Sequence, residues 1–399
     1  MKTNQLLGLC FALSVWLVGC KEKNVPPVDE IVEPLVLGTE IAAKTVLEDR
    51  VADPNLPDYI VNGTLFVKAE LTIRPGVVIA FARDGRLEIN DNGGILIAQG
   101  QADKKIRFTG IEKSKGTWAG IIIYSASSAN ALDHVEVLYA GSRPLTSNIK
   151  AGVALVGNSK AQLALKNSLL AHHDGYGLLV QDGAVLRSFA ANTFGNNTLA
   201  GITLDANNVK YLDKSSVFTQ SNGRNVVEIA ASELSRGTAG EVLWEGFTDQ
   251  TPYRLVGNLS VKADWKLAPG VTLELGRDVQ LSVNAEAYLD ARGTAAAPIT
   301  IKGAEAGAGY WRGLICYSPS VRNVLEHVHL SGGGSIALVS AKKTTVAVYG
   351  SQAAMTIRNS RISQSGGHGI FVNYQARIND DVLTANAFEN NGQANLLKE

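Results

Sequence analysis

Short apolar runs recur along the chain, and most alternate with polar positions at a period of two. Leu65-Phe66-Val67, Leu71-Thr72-Ile73, Leu87-Glu88-Ile89, Ile95-Leu96-Ile97, Ile106-Arg107-Phe108 and Ile121-Ile122-Ile123 are typical. Period two is the signature of a β-strand with one face buried. The runs are about 3–6 residues long and begin roughly every 8 to 12 residues. Gly63, Pro75-Gly76, Gly85, Gly94, Gly100 and Gly110 separate them. No three-turn amphipathic helix is expected. The best helical stretch, Glu228 to Ser235, suffices for one short turn.

The chain also contains itself twice. Tyr59 returns as Tyr253 and Pro75-Gly76 as Pro269-Gly270, both 194 residues on. Trp118-Ala119-Gly120 returns as Trp311-Arg312-Gly313, and Asn130-x-Leu132-x-His134-Val135 as Asn323-x-Leu325-x-His327-Val328, both 193 residues on. Asn167-Ser168 matches Asn359-Ser360, and Asn192-x-Phe194-x-Asn196-Asn197 matches Asn386-x-Phe388-x-Asn390-Asn391. A repeat of this length is one architecture tiled along an axis. Sandwich strands run longer and are joined by hairpin dipeptides. Runs this short fit a solenoid, in which each coil buries its inward side chains against the coils beside it. About 22 residues per coil predicts roughly 14 to 16 coils and a body of about 70 Å. Pro75-Gly76 and Pro269-Gly270 are expected as tight turns. Trp118 and Trp311 are expected at inward corners. Asn158, Asn167, Asn192, Asn359 and Asn386 are expected at strand ends, stacked as amide ladders.

These motifs carry a resemblance. Leu71-x-Ile73-x-Pro75-Gly76-Val77, Leu87-x-Ile89, Gly100-x(5)-Ile106-x-Phe108 and Trp118-x-Gly120-Ile121 resemble the right-handed parallel β-helix, pectin-lyase-like proteins of bacterial envelopes. Gly293-Thr294-Ala295-x-x-Pro298-Ile299-x-Ile301 is the nearer of the two copies to that pattern. The resemblance implies an all-β, right-handed parallel β-helix over residues 53–399. Its half-repeats would lie at about 59–201 and 253–399, joined by 202–252. That family shares a scaffold far more than an activity.

The first residues add a location. Lys2 precedes the apolar stretch Leu6 to Val18, which is too short to span a bilayer. It ends in Leu17-Val18-Gly19-Cys20, which resembles a bacterial lipobox. The resemblance implies a signal peptide at 1–19, with lipid on the Cys20 sulfur and on the new amino terminus. Residue 21 is Lys rather than Asp, so placement at the outer membrane is expected. Residues 20–52, rich in Pro and acids, are expected as a flexible tether. With Cys10 in the signal and Cys20 lipidated, only Cys316 remains in the body. It stands where the first copy has Ile123 and is expected to be buried.

Charge narrows the partners. Lys and Arg total 37 and so do Asp and Glu, so no nucleic-acid partner is expected. No His or Cys pair has zinc spacing and no Asp-x-Asp-x-Asp-Gly loop is present, so no metal or cofactor is expected. Enzymes of the resembled family act on polysaccharides with clustered Asp, Arg and Lys. The candidates here are His172 and Asp174, in His172-His173-Asp174 with Tyr176 nearby. Asp380-Asp381 stands alone near the end. Candidate binding residues are Arg143 and Lys150 in the segment 141–154, with Lys342 and Lys343 in the segment 332–349. These two segments read as loops of unequal length and content. The expectation is a non-catalytic, lipid-anchored envelope protein that binds glycan or another surface protein. The alternatives are a polysaccharide lyase or glycoside hydrolase, and a structural spacer.

Overall fold

The computed structural model describes Met1, residues 32–236 and residues 240–399. Cys20, the apolar segment before it and the first part of the expected tether lie outside these residues. Residues 34–399 form one compact unit. It is a parallel β-helix in which every pairing between named strands is parallel. Each coil visits three sides in turn. Side 2 is a single sheet of 14 strands that runs from Glu40–Ile41 to Ala387–Glu389. At about 4.8 Å per rung it extends about 60 Å. Side 1 holds an eight-stranded sheet, Leu35–Val36 to Val217–Gln220, and side 3 a six-stranded one, Thr45–Leu47 to Val185–Ala190.

Alternation drives the stacking. On side 2 the inward column runs Leu65, Leu87, Ile121, Val153, Leu178, Ile202, Val227, Tyr253, Leu273, Ile301, Leu330 and Ile362. All are buried in one continuous core. Burying each such side chain contributes about 1.5–3 kcal/mol. A one-residue slip would turn the whole column outward, so the register is strongly specified.

The coil begins earlier than composition suggests. Leu35–Val36, Glu40–Ile41 and Thr45–Leu47 pair with the next coil, so residues 35–47 belong to the solenoid rather than to a tether. Their short apolar runs bury Ile41 and Leu47. The carboxylate of Asp58 then accepts the backbone N–H groups of Val51 and Val78, each at 2.7 Å, and closes the coil. The helical turn expected at 228–235 is absent, because Arg224–Ile229 and Ser232–Leu234 are strands. The regular helical turn of this region is instead a 3-10 segment at Ala206–Tyr211, which takes the place of a strand on side 3. Asp205 caps it by accepting the Asn207 N–H.

That replacement accompanies a change of phase. Beyond it, side 3 continues as the sheet Ser232–Leu234 to Leu396–Lys398, and side 1 as Val242–Trp244 to Arg377–Ile378. Tyr59–Val61 lies on side 1, yet its counterpart Tyr253–Leu255 lies on side 2. Gly120–Ile123 lies on side 2, yet Gly313–Cys316 lies on side 3. The second half is therefore turned by one side, a third of a turn, about the common axis. The expected joint at 202–252 is itself coiled, and side 2 crosses it unbroken.

Two corners repeat one rule. A residue with left-handed φ turns the chain, and the next residue points inward to a hydrogen-bond ladder. From side 1 to side 2 the turning residues are Tyr139, His172, Asn196 and Ser221, with φ of 64°, 61°, 55° and 55°. Their inward neighbours are Ala140, His173, Asn197 and Asn222. From side 3 to side 1 the turning residues are His134, Asn167 and Ala191; their second-half counterparts His327 and Asn359, shifted by one side, turn the chain from side 1 to side 2. Asn167 and Asn359 are thus corner residues rather than ladder members, and Asn158 lies in an exposed turn. Asn192 and Asn386 do sit in ladders, but beside serines. Ser168 N–H donates to Asn192 Oδ1 at 3.2 Å, and Val135 N–H to Ser168 Oγ at 3.1 Å. Asn and Asp tolerate left-handed geometry best, which explains the recurring Asn-Asn and Asn-Ser pairs.

Candidate functional site

His172, His173 and Asp174 come together at the corner between sides 1 and 2, each with a partner that serves the coil. His172 turns the chain and stacks on Tyr139, ring centroids 5.3 Å apart. Burial, then the nearby Lys115, holds its imidazole below the ordinary range. His173 takes the ladder slot that Asn197 and Asn222 fill in the next coils. Its Nδ1 accepts the Ala140 N–H at 3.0 Å, and its own N–H donates to Asn197 Oδ1 at 3.1 Å. The ring is fully buried, and burial pushes its pKa down to about 3. A Cβ on Gly152 would stand 2.3 Å from Nε2, so the ring requires glycine on the adjacent strand. Asp174 pairs with Lys150 at 2.7 Å, so one catalytic and one binding candidate form a single ion pair. Both are partly exposed, and a pair of this kind contributes about 0–1 kcal/mol.

The two loops have the same length, contrary to the expectation. Gly141-Ser142-Arg143-Pro144-Leu145-Thr146-Ser147-Asn148-Ile149-Lys150 aligns without a gap with Gly334-Ser335-Ile336-Ala337-Leu338-Val339-Ser340-Ala341-Lys342-Lys343. Thr146 bridges Ile149, and Val339 bridges Lys342, in antiparallel fashion. Positive φ at Ser147 and Asn148, and at Ser340 and Ala341, makes both tight hairpins. Each hairpin folds back over the outer face of a sheet. Leu145 covers Ile122, Ala154 and Leu179 on side 2. Leu338 covers Ile315, Ala347 and Phe371 on side 3. These are flaps with apolar undersides.

The flaps do not face one direction. The first lies at the edge of side 2 next to side 1, the second at the edge of side 2 next to side 3. Arg143 donates to the Asp84 carbonyl at 3.1 Å, and Lys342 pairs with Glu399 at 3.2 Å. Lys343 is exposed and, among the described residues, has no carboxylate partner. The position that holds Asp174 in the first half holds Gly366 in the second. Asp381 pairs with Arg358 at 3.3 Å. Among the described residues no group of three His, Cys, Asp or Glu is close enough to hold a metal.

Sequence reasoning missed two outer columns. The first crosses the joint on side 2 as Glu228, Arg254, Glu274 and Lys302, in register and alternating in sign. Arg254 Nη2 lies 2.6 Å and Lys302 Nζ 3.5 Å from Glu274. Glu228 is buried, bonded to Arg224 and to the Tyr176 hydroxyl at 2.7 Å. Burial, then Glu228, raises the Tyr176 pKa. Cross-strand opposite charges stabilise a sheet pair by about 0.2–1 kcal/mol. The second column stands at the far edge of side 3 and contains Asn284, Tyr317, Tyr349 and Asn373 on successive rungs. Neither is visible without register, because coil lengths are unequal.

Trp118 and Trp311 do occupy inward corners. Their Nε1 groups donate to the carbonyls of Leu138 and Ser331 at 2.7 and 2.8 Å, and Trp118 stacks on Phe81 at 4.2 Å. Cys316 is buried, and burial raises its thiol to about 11.

No protein-family model, no curated protein and no solved structure matches the chain.

Proposed function

We propose that this is a non-catalytic cell-envelope protein, held at a bacterial outer membrane by lipid on Cys20, whose β-helix surface binds glycan or another surface protein. The observation that carries the reading is the engagement of the catalytic candidates. His172 turns a corner, His173 completes a ladder and Asp174 is neutralised by Lys150. A general base must be free to reach a substrate proton. A fully buried imidazole held at a pKa of about 3 is not. A stack of parallel rungs is instead a rigid display surface, and rigidity lowers the entropy cost of binding.

Two measurements test this. The chain with Cys20→Ser is screened on a glycan array with and without calcium, and the same glycans are assayed for new reducing ends and for ultraviolet absorbance. Saturable binding without turnover is expected. Turnover that Asp174→Asn abolishes would refute the non-catalytic reading. For the anchor, labelled fatty acid is expected to enter the wild-type chain and not Cys20→Ser. Equal labelling of both would remove the lipid.

A further inference from the structure

Tyr317 and Tyr349 stand on consecutive rungs at the outer edge of side 3, ring centroids 6.3 Å apart and perpendicular. Asn284 lies one rung before them, and Asn373 one rung after. Tyr317 is exposed, and Tyr349 is half-buried against the flap cluster of Leu338 and Phe371. The flap tip reaches the same line, with Ser340 Oγ 3.3 Å from the Tyr349 hydroxyl. Tyr374, 71% exposed, follows Asn373.

The first half keeps part of this line. Lys68, Asn90 and Tyr124 hold the places of Lys262, Asn284 and Tyr317 on three successive rungs. Core positions in the two halves need only match in volume and polarity, and many have drifted among Leu, Ile and Val. On the outer face the amide and the tyrosine are the same in the two copies: Tyr124 packs against the flap cluster of Leu145, and Asn284 Nδ2 donates to Ser260 Oγ at 3.0 Å. The first half has Val156 and Gln181 where the second has Tyr349 and Asn373, so the second half carries the longer aromatic line.

We propose that Asn284, Tyr317, Tyr349 and Asn373 form the contact line for a neutral, extended glycan running parallel to the solenoid axis. This rests on the glycan-binding reading above and names its site. Tyrosine faces suit the C–H face of a pyranose, and the exposed Tyr317 keeps its hydroxyl for the sugar edge, while that of Tyr349 is bonded to Ser340. Asn supplies a donor and an acceptor to hydroxyls, the second N–H of Asn284 being held by Ser260 Oγ at 3.0 Å. Rungs about 4.8 Å apart nearly match the advance of one sugar in an extended chain. The line itself carries no charged side chain; of the cations beside it, Lys262 pairs with Glu233 at 2.6 Å and Lys342 with Glu399 at 3.2 Å, and Arg312 donates to the Ala337 carbonyl at 3.0 Å. An uncharged ligand therefore fits better than a uronate.

The test is calorimetry on the full chain in detergent. The probes are β-1,4-linked hexasaccharides of glucose and of N-acetylglucosamine, with an oligogalacturonate of equal length as the charged comparison. One neutral hexasaccharide is expected to bind. Tyr317→Ala and Tyr349→Ala should each weaken it about ten-fold or more, while Tyr349→Phe and Tyr124→Ala stay within about two-fold. Hydrogen exchange of the wild-type chain reads the site without a variant, and saturation should slow exchange at residues 315–318 and 347–350. Undiminished binding to a folded Tyr317→Ala/Tyr349→Ala chain, or no protection at those segments, would overturn the site and leave glycan binding standing. Binding of oligogalacturonate alone would also overturn it. No binding of any glycan would overturn both the site and the glycan reading.

Discussion

His173 should make the fold acid-sensitive in a way that can be measured. Its pKa is about 3 in the folded chain and about 6.5 when unfolded. Above pH 6.5 both states are neutral and the ring adds no pH dependence. As pH falls below that, the unfolded chain takes up a proton that the folded chain refuses. Stability then drops by about 1.4 kcal/mol per pH unit until the folded pKa is reached. Between pH 6.5 and pH 4 the loss is about 3 kcal/mol, and it levels off below pH 3. His173→Asn keeps a ladder acceptor for the Ala140 N–H, as Asn197 does for His173, and removes the titration. The assay is urea unfolding of both chains from pH 7.5 to pH 4. Surface carboxylates titrate alike in the two, so the difference between the curves isolates the imidazole. The variant is expected to lose a pH-independent increment of about 1–3 kcal/mol from the vacated volume. The wild type should then approach it below pH 6. Parallel curves over the whole range would refute a buried neutral His173.

Other outcomes follow from the same corners. Asn197→Ala strands the buried His173 N–H and Leu170 carbonyl, and should cost about 3 kcal/mol or more by urea midpoint. Asn196→Gly next to it, at a left-handed φ of 55°, should change stability by less than about 1 kcal/mol. The second half fills the places of Gly152 and His173 with Thr345 and Ser365. Gly152→Thr alone should therefore destabilise strongly by clashing with the imidazole, and adding His173→Ser should recover most of the loss in a double-mutant cycle. The Cys316 thiol, buried and raised to about 11, should react with a thiol reagent only after unfolding; rapid labelling of the native chain at pH 8 would contradict its burial.

Much of the scaffold is legible in the pattern of residues because it depends on local rules. Alternation gives the strands, Pro75-Gly76 gives a turn with Gly76 at φ 93°, and the 192–194-residue echoes give the repeat. What stayed hidden depends on register. His172-His173-Asp174 looks like chemistry until His172 is seen to share its corner with Asn196, and His173 its ladder with Asn197. The flaps looked unequal because Gly332-Gly333-Gly334 offers three places to align Gly141, and the true partner is Gly334. The acid- and Pro-rich stretch before residue 53 resembles a tether, yet Ile41 and Leu47 suffice to bury one coil. The columns through Glu228 and Tyr317 join residues from coils of different length, so no fixed spacing announces them.

The third of a turn between the halves has a structural cost that is confined to the joint. A solenoid coil contacts only its neighbours, so a change of phase needs one repacked layer. That layer is visible in its aromatics. Phe194 and Phe218 stack at 5.1 Å, Phe218 meets Phe247 edge-on at 4.9 Å, and Trp244 meets Trp265 at 4.9 Å. Large rings fill the space where the 3-10 segment replaces a strand, and each aromatic pair adds about 0.5–1.5 kcal/mol beyond its buried area. The phase change also constrains function. Tyr124 and Tyr317 are separated by seven turns and one side, about 35 Å along the axis, and they face different directions. A straight ligand cannot lie on both lines at once. The two halves can act together only on a ligand that winds around the body or on separate ligand chains, so linked binding of one short glycan is excluded by geometry.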